Sequence, residues 1–355
     1  MSTTTNRSFW QDKTGVPGTI REAPIPSTLV EDEIFVKVRA WGLNPVDAFI
    51  QDHPLPFFKY PLIPGQDIAG TVERVGPGPH SQRFKVGDRV LGYAMGASAM
   101  GKPGNGAFQD YVVLDHALAV KIPDSLSFAE AAVFPLCLAT AGHALFGSKY
   151  LALPPPKAAS GSAPRTGKSV LIWGGASAVG SNAIQLARAA GFEVLATCSP
   201  RNFDYVLGLG ADKVFDYNSA TVVDDLVTEL DNKGVCAGIF QAAGMTGDAV
   251  APCCQVSHRL RQKPFVACAN VVPEGAVPEG VEAKFVFGGE DGRGIYYDTT
   301  SQLFGGFLEE ALRLGTYKAA PRPEVVRTRG LEGIQEGLDV VKKGVSAKKI
   351  VVLAE

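Results

Sequence analysis

Gly175, Ser177 and Gly180 stand at the three fixed positions of a G-x-G-x-x-G turn, with serine in the middle place. The surrounding stretch is VLIWGGASAVGSNAIQLARAAG, residues 170–191. An apolar run enters the turn and an amphipathic run leaves it, which is the strand–turn–helix context that gives this motif meaning. Its chemistry is anion binding, because a helix start offers free N–H groups and a positive dipole end to a pyrophosphate. Gly175 is expected to make the tight turn, and Gly180 to let helix and strand pack closely. The Ser177 hydroxyl is expected to hydrogen-bond a phosphate, with Gly174, Ala176 and Val179 completing the loop.

About 20 residues on, a site for NAD carries an acid for the ribose 2′-hydroxyl. Here that window reads LATCSPRN and contains no acid. Ser199 and Arg201 stand there instead, a hydroxyl and a guanidinium suited to a 2′-phosphate. The pattern therefore points to NADPH. Arg201 also opens a predicted helix, a poor place for a cation on dipole grounds, which favours a binding role over simple solvation. Two other enzyme classes fail on spacing. None of the nine tyrosines has a lysine four residues on, and the G-x-S-x-G elbow of hydrolases is broken by Val179.

The elements that must hold these residues follow from pattern. Residues 15–125 contain short alternating runs such as EIFVKVRAWGL, IAGTVERVG and FQDYVVLD, closed by Gly and Pro, and read as an all-β region. After Pro123 the stretch SLSFAEAAVFPLCLATAGHALF reads as helix, and 154–167 as a surface loop rich in Pro, Ser and Gly. From Lys168 strands and helices alternate, which requires a parallel sheet with helices on both faces. A long helix, SQLFGGFLEEALRLG, begins near Ser301, and KKIVVLA closes the chain as a strand.

Bulk properties narrow the partners. With 355 residues and a formal net charge of −2, the chain has room for two cores and no broad basic field, so nucleic acid is excluded as a main partner. No apolar core follows the first methionine and no apolar run reaches the ~20 residues of a membrane span, so the expectation is a cytoplasmic protein with no membrane partner. Six scattered cysteines without a C-x-x-C suit free thiols in a reducing compartment.

The stretches WGLNPVDAFI, YPLIPGQDIAGTVERVG, FKVGDRVLGY, NGAFQDYVVL, GGASAVGSNAIQLARAAG, LGADKVFDYN and KKIVVL, in this order, resemble the medium-chain dehydrogenase/reductase superfamily. The resemblance covers nearly the whole chain and is strongest to zinc-free quinone oxidoreductases and fungal trans-acting enoyl reductases. It implies an α/β protein made of a GroES-like β-barrel catalytic domain (1–130 and 300–355) and a Rossmann doubly wound parallel-sheet domain (131–299). Alcohol dehydrogenases of this superfamily hold zinc through a Cys and a His-Glu pair. Asn44, Gln66 and Asp67 stand at those places, and GYAMGASAMGKPGNGAF, where a four-cysteine structural zinc lobe belongs, has no cysteine. No metal site is therefore expected.

By the same resemblance, Asn44, Pro45 and Asp47 lie near the nicotinamide or support its loop, and Thr140 contacts the nicotinamide side. Tyr217 helps to hold the 2′-phosphate, and Val271 and Lys348 match regions lining the cofactor cleft. The catalytic candidates are Asn44, Asp47, His143 and Tyr60, although for His143 and Tyr60 a packed or surface role is the plainer reading. Quinone reductases of this branch carry tyrosines at the places of Phe49 and Leu55, so the pocket is more apolar here and no proton donor is inherited. The implied reaction is zinc-independent hydride transfer from NADPH to an activated C=C bond or a quinone of an apolar, conjugated small molecule. Two alternatives stay open: a redox-neutral isomerase, cyclase or binding protein that keeps the cofactor site, and a metal-dependent alcohol dehydrogenase with unusual ligands. The resemblance allows a homodimer or a monomer, and no stretch chooses between them.

Overall fold

The computed structural model describes residues 5–54, 58–94, 105–159, 163–243, 247–287 and 294–355. The chain divides into two compact units. One comprises residues 1–136, 304–313 and 322–355, and the other residues 137–303 and 314–321.

The first unit is built on a seven-stranded sheet. Its main path runs Pro323–Val325, Lys349–Leu353, Glu33–Gly42, Asp67–Val75, Arg89–Tyr93 and Ala119–Lys121, and Tyr111–Asp115 pairs with Glu33–Gly42 as well. Strand Glu33–Gly42 organises it, because its alternation sends Ile34, Val36 and Val38 into the core. Trp41 is fully buried, and its indole N–H donates to the Ala107 carbonyl at 2.9 Å, so the ring adds apolar contact without an orphaned donor. The closing strand Lys349–Leu353 pairs antiparallel with Glu33–Gly42 in the register Val351↔Gly42 and Leu353↔Ala40.

The second unit holds a six-stranded, all-parallel sheet. Its order is Lys213–Asp216, Glu193–Cys198, Ser169–Trp173, Cys236–Gln241, Val266–Cys268 and Ala283–Phe285. In chain order this is 3-2-1-4-5-6, the doubly wound arrangement. Ser169–Trp173 is buried at every residue, as a central parallel strand covered on both faces must be. The order reverses beside that strand, so its C-terminal end, where the glycine turn lies, is the switch point at which such sheets bind ligands.

Two sequence expectations take a sharper form. The helix read from Ser301 onward is broken: an α-helix over Gly294–Leu303 gives way to a π-helix over Phe304–Leu308 and then to Glu309–Arg313. Gly305 and Gly306 sit in the irregular turn, where weak glycine helix propensity favours a wider one. The segment Phe128–Phe146 has the length and composition to cross a membrane, yet 72% of its most apolar stretch is buried inside the protein.

All six cysteines are buried. Burial pushes the Cys254 thiol up to about 11 and that of Cys253 well above its ordinary value, so the adjacent pair stays protonated and unreactive at neutral pH.

Candidate active site

The glycine turn in the second unit is fixed by its own backbone. Gly174, not Gly175, takes the left-handed conformation, with φ at +86°. A Cβ there would also lie 2.1 Å from the Cβ of Ala243, so only glycine fits. The Gly174 and Gly175 amides donate to the Thr197 hydroxyl (3.1 Å) and carbonyl (2.8 Å), which ties the turn to the neighbouring strand. Gly180 behaves as expected: a Cβ would meet the Gly174 carbonyl oxygen at 2.3 Å.

Ser177 is used differently from the sequence expectation. Its hydroxyl accepts from the Gly180 amide at 2.9 Å and donates to the Ala242 carbonyl at 2.7 Å. The side chain is thus the N-cap of helix Ala178–Ala189, and it ties that helix to the end of strand Cys236–Gln241. Its one proton is already committed. Ser177→Ala should lower stability by about 1–2 kcal/mol through loss of the cap, read as a lower denaturation midpoint of the second unit.

Pairing of strands Glu193–Cys198 and Lys213–Asp216, with Asp216 opposite Cys198, sets the residues just beyond both ends side by side. There the Ser199 and Tyr217 hydroxyls lie 2.8 Å apart. Arg201 follows in the one-turn helix Pro200–Asn202 and is exposed. The three residues assigned to the 2′-phosphate therefore come from adjacent parallel strand ends. Thr140 is half-buried on helix Pro135–Phe146, and Val271 is exposed. His143, on the same helix, is buried, and its ring makes a T-shaped contact with Tyr150, the centroids 4.9 Å apart. Tyr150 in turn bonds the Phe285 carbonyl at 3.1 Å, so this pair fastens the helix to the edge strand of the sheet.

The first unit contains a second polar centre, buried and densely bonded. Asn44 and Pro45 open helix Pro45–Asp52, and Oδ2 of the Asp47 carboxyl accepts from the Asn44 backbone N–H at 2.8 Å. The Asn44 side-chain N–H donates to Asp67 Oδ2 at 2.9 Å. The other Asp67 oxygen accepts from the Leu136 amide at 2.7 Å. Lys349 Nζ donates to Asp67 Oδ2 at 2.8 Å and also to Asn44 Oδ1. Asp47, Asp67 and Lys349 are 1%, 0% and 3% exposed, so this ion pair lies out of reach of solvent screening.

Lys349 was not among the sequence candidates; its neighbour Lys348 was. Lys348 pairs with Glu324 and is partly exposed. Register explains the difference. Continuing Val351↔Gly42 by two residues brings Lys349 opposite Asn44. Alternation within KKIVVL then puts Lys349 on the face of Val351, away from that of Ile350 and Val352. Tyr60 donates its hydroxyl to the Ile50 carbonyl at 2.6 Å. Phe49 packs against His53 with the rings tilted by 36° and their centroids 4.5 Å apart. Leu55 and most of the stretch 92–108, where the resemblance would put a structural zinc lobe, lie outside the described residues.

Burial raises the Asp47 carboxyl to about 7; the Asn44 N–H and the Lys349 ammonium oppose this, and the Asp67 carboxylate adds to it. Asp47 Oδ1 has no hydrogen-bond partner, which agrees with an acid costly to ionise there. The native state thus holds a proton that the unfolded chain, with an ordinary value of 3.8, releases. Stability contributed by this group falls as pH rises from about 4 to about 7 and is level above that. Asp47→Asn should remove this slope. The stability difference between wild type and variant should shift by up to about 4 kcal/mol across the window, followed by denaturation at several pH values.

The Alcohol dehydrogenase GroES-like domain model matches residues 30–124. The chain is 44% identical over 340 residues to Dehydrogenase azaJ of Aspergillus niger, covering 94% of each chain. It is 38% identical over 355 residues to Trans-enoyl reductase himH of Aspergillus japonicus, covering 99% of this chain and 98% of that one. A mycobacterial protein solved in complex with NADPH superposes with a TM-score of 0.68 at 23% identity, covering 98% and 99% of the two chains. A glycine turn at the switch point of a 3-2-1-4-5-6 sheet, joined in one chain to a GroES-like unit and matched end to end by such relatives, leaves one assignment: this chain belongs to the medium-chain dehydrogenase/reductase superfamily of oxidoreductases.

Proposed function

We propose that the protein is an NADPH-dependent, zinc-independent reductase of activated C=C bonds or quinones. The observation that carries the cofactor choice is the Ser199–Tyr217 hydroxyl pair beside Arg201, at adjacent strand ends where an acid would select NADH. The amides of Ala178 and Val179, left over after Ser177 takes that of Gly180, suit the pyrophosphate. Bound NADPH would supply the hydride. The mycobacterial neighbour solved with NADPH and the relatives named enoyl reductases support this reading.

Zinc does not fit the donor set. Asn44 and Gln66 offer amides, which are poor zinc ligands, and both side-chain oxygens are already engaged. Gln66 Oε1 accepts from the Tyr93 hydroxyl at 3.0 Å. Asp67 is bonded through both oxygens. No group of three or more His, Cys, Asp or Glu able to hold a metal occurs among the described residues. A conjugated acceptor suits such a centre, because the charge arriving with hydride spreads to its oxygen and hydrogen bonds can stabilise it. Work inside the cell and on an apolar acceptor belongs to the same proposal.

The test is NADPH consumption in chelator against a panel of enones and quinones, using cofactor deuterated at the transferred position. Deuterium on the product carbon is the expected result. Tight NADPH binding without consumption across the panel would favour the redox-neutral alternative.

A further inference from the structure

In the family's metal-dependent members a cation is bound where this chain has Asn44, Gln66 and Asp67. This chain already holds a cation against two of those residues. The Lys349 ammonium is buried and bonds both Asn44 Oδ1 and Asp67 Oδ2. The Asn44 carboxamide is gripped at both ends, its oxygen by Lys349 and its nitrogen by Asp67 at 2.9 Å. The charges also balance. Asp67 is paired with Lys349, and the neighbouring Asp47 is a buried carboxyl that keeps one oxygen without a partner. A divalent ion added here would face the ammonium directly and find Asp67 already spent.

We propose that Lys349 is the resident, protein-borne cation of this centre, standing in for a metal ion and acting as a positioning residue that orients the Asn44 carboxamide for reduction. The proposal rests on the zinc-independent reductase reading and adds a named residue to it. Removing the ammonium should loosen Asn44 while leaving the glycine turn and the Ser199–Tyr217 pair of the second unit in place.

The test uses the full-length chain as wild type and Lys349→Ala. Three readouts are taken: zinc content after zinc exposure and desalting, melting temperature, and single-turnover deuteride transfer at saturating acceptor well below the melting temperature. Wild type should retain no stoichiometric zinc. Lys349→Ala should melt lower and transfer deuteride at least tenfold more slowly, with its NADPH dissociation constant within threefold of wild type. Methylammonium at 50 mM should raise both its melting temperature and its rate at least part of the way back. Tetramethylammonium at equal concentration, which has no N–H to donate, should not.

Deuteride transfer by Lys349→Ala within twofold of wild type would overturn the positioning role. One equivalent of zinc in wild type, lost on Asp67→Asn, would overturn the substitution of lysine for metal. Equal effects of the two ammonium ions would overturn the cation assignment. If wild type reduces no acceptor on the panel, the reductase reading fails and with it the positioning role, while zinc content and the melting comparison still decide whether Lys349 is the cation. If Lys349→Ala is recovered only unfolded, refolding yield in the two ammonium salts replaces the melting comparison, and equal yields overturn the assignment.

Discussion

Asp67→Ala is expected to destabilise the first unit by about 3–5 kcal/mol, the usual cost of leaving a buried charge without its partner. Asp67 is fully buried and satisfies three donors at once: the Asn44 side chain, the Lys349 ammonium and the Leu136 amide. Denaturant titration of the variant should show its midpoint displaced to lower denaturant by a corresponding amount. Asp67→Leu combined with Lys349→Met removes both charges together. It should recover much of the loss, because a buried ion pair replaced by apolar residues is often neutral in stability. Recovery should stay incomplete, since the Leu136 amide then lacks its acceptor.

Arg201→Ala is expected to weaken NADPH binding by about 10–100-fold, the equivalent of losing a charge-assisted hydrogen bond of about 1.5–3 kcal/mol. NADH binding should change little, because its ribose carries a neutral hydroxyl where NADPH carries phosphate. Fluorescence titration of both cofactors with both proteins gives the ratio directly. A loss of equal size for both cofactors would mean that Arg201 supports the strand end and does not read the phosphate. The wild-type preference should also fall with added salt, since Arg201 is exposed and its attraction is screened.

Much of this molecule could be read from its residues, and the places where reading failed share a cause. The strand–turn–helix at 170–191 was legible because glycine spacing and hydrophobic period agree on one local structure. Which glycine takes positive φ was not: it is Gly174, and the close neighbour that also bars a side chain there is Ala243, a residue about 70 positions away. The use of the Ser177 proton was hidden for the same reason, its acceptor being the Ala242 carbonyl on another strand. Choosing between Lys348 and Lys349 needed the register of the closing strand against Glu33–Gly42, and register between distant strands is a tertiary fact. The break at Gly305–Gly306 was, by contrast, visible in composition and outweighed by the apolar pattern around it.

The position of the closing strand bears on how the chain is made. Lys349–Leu353 lies inside the sheet of the first unit, between Pro323–Val325 and Glu33–Gly42. During synthesis, Gly42 leaves the ribosome about 300 residues before its partner Val351, a wait of roughly 15–60 s at about 5–20 residues per second. All six strands of the parallel sheet emerge within that interval. The nascent protein should therefore acquire its nucleotide-binding half first, carrying an open β-edge at Ala40–Gly42, the part of that strand's edge that Tyr111–Asp115 does not cover, which invites intermolecular pairing until the last strand arrives. A nascent chain stalled just short of Lys349 should bind NADPH yet remain a chaperone client, and release of the final strand should end that dependence.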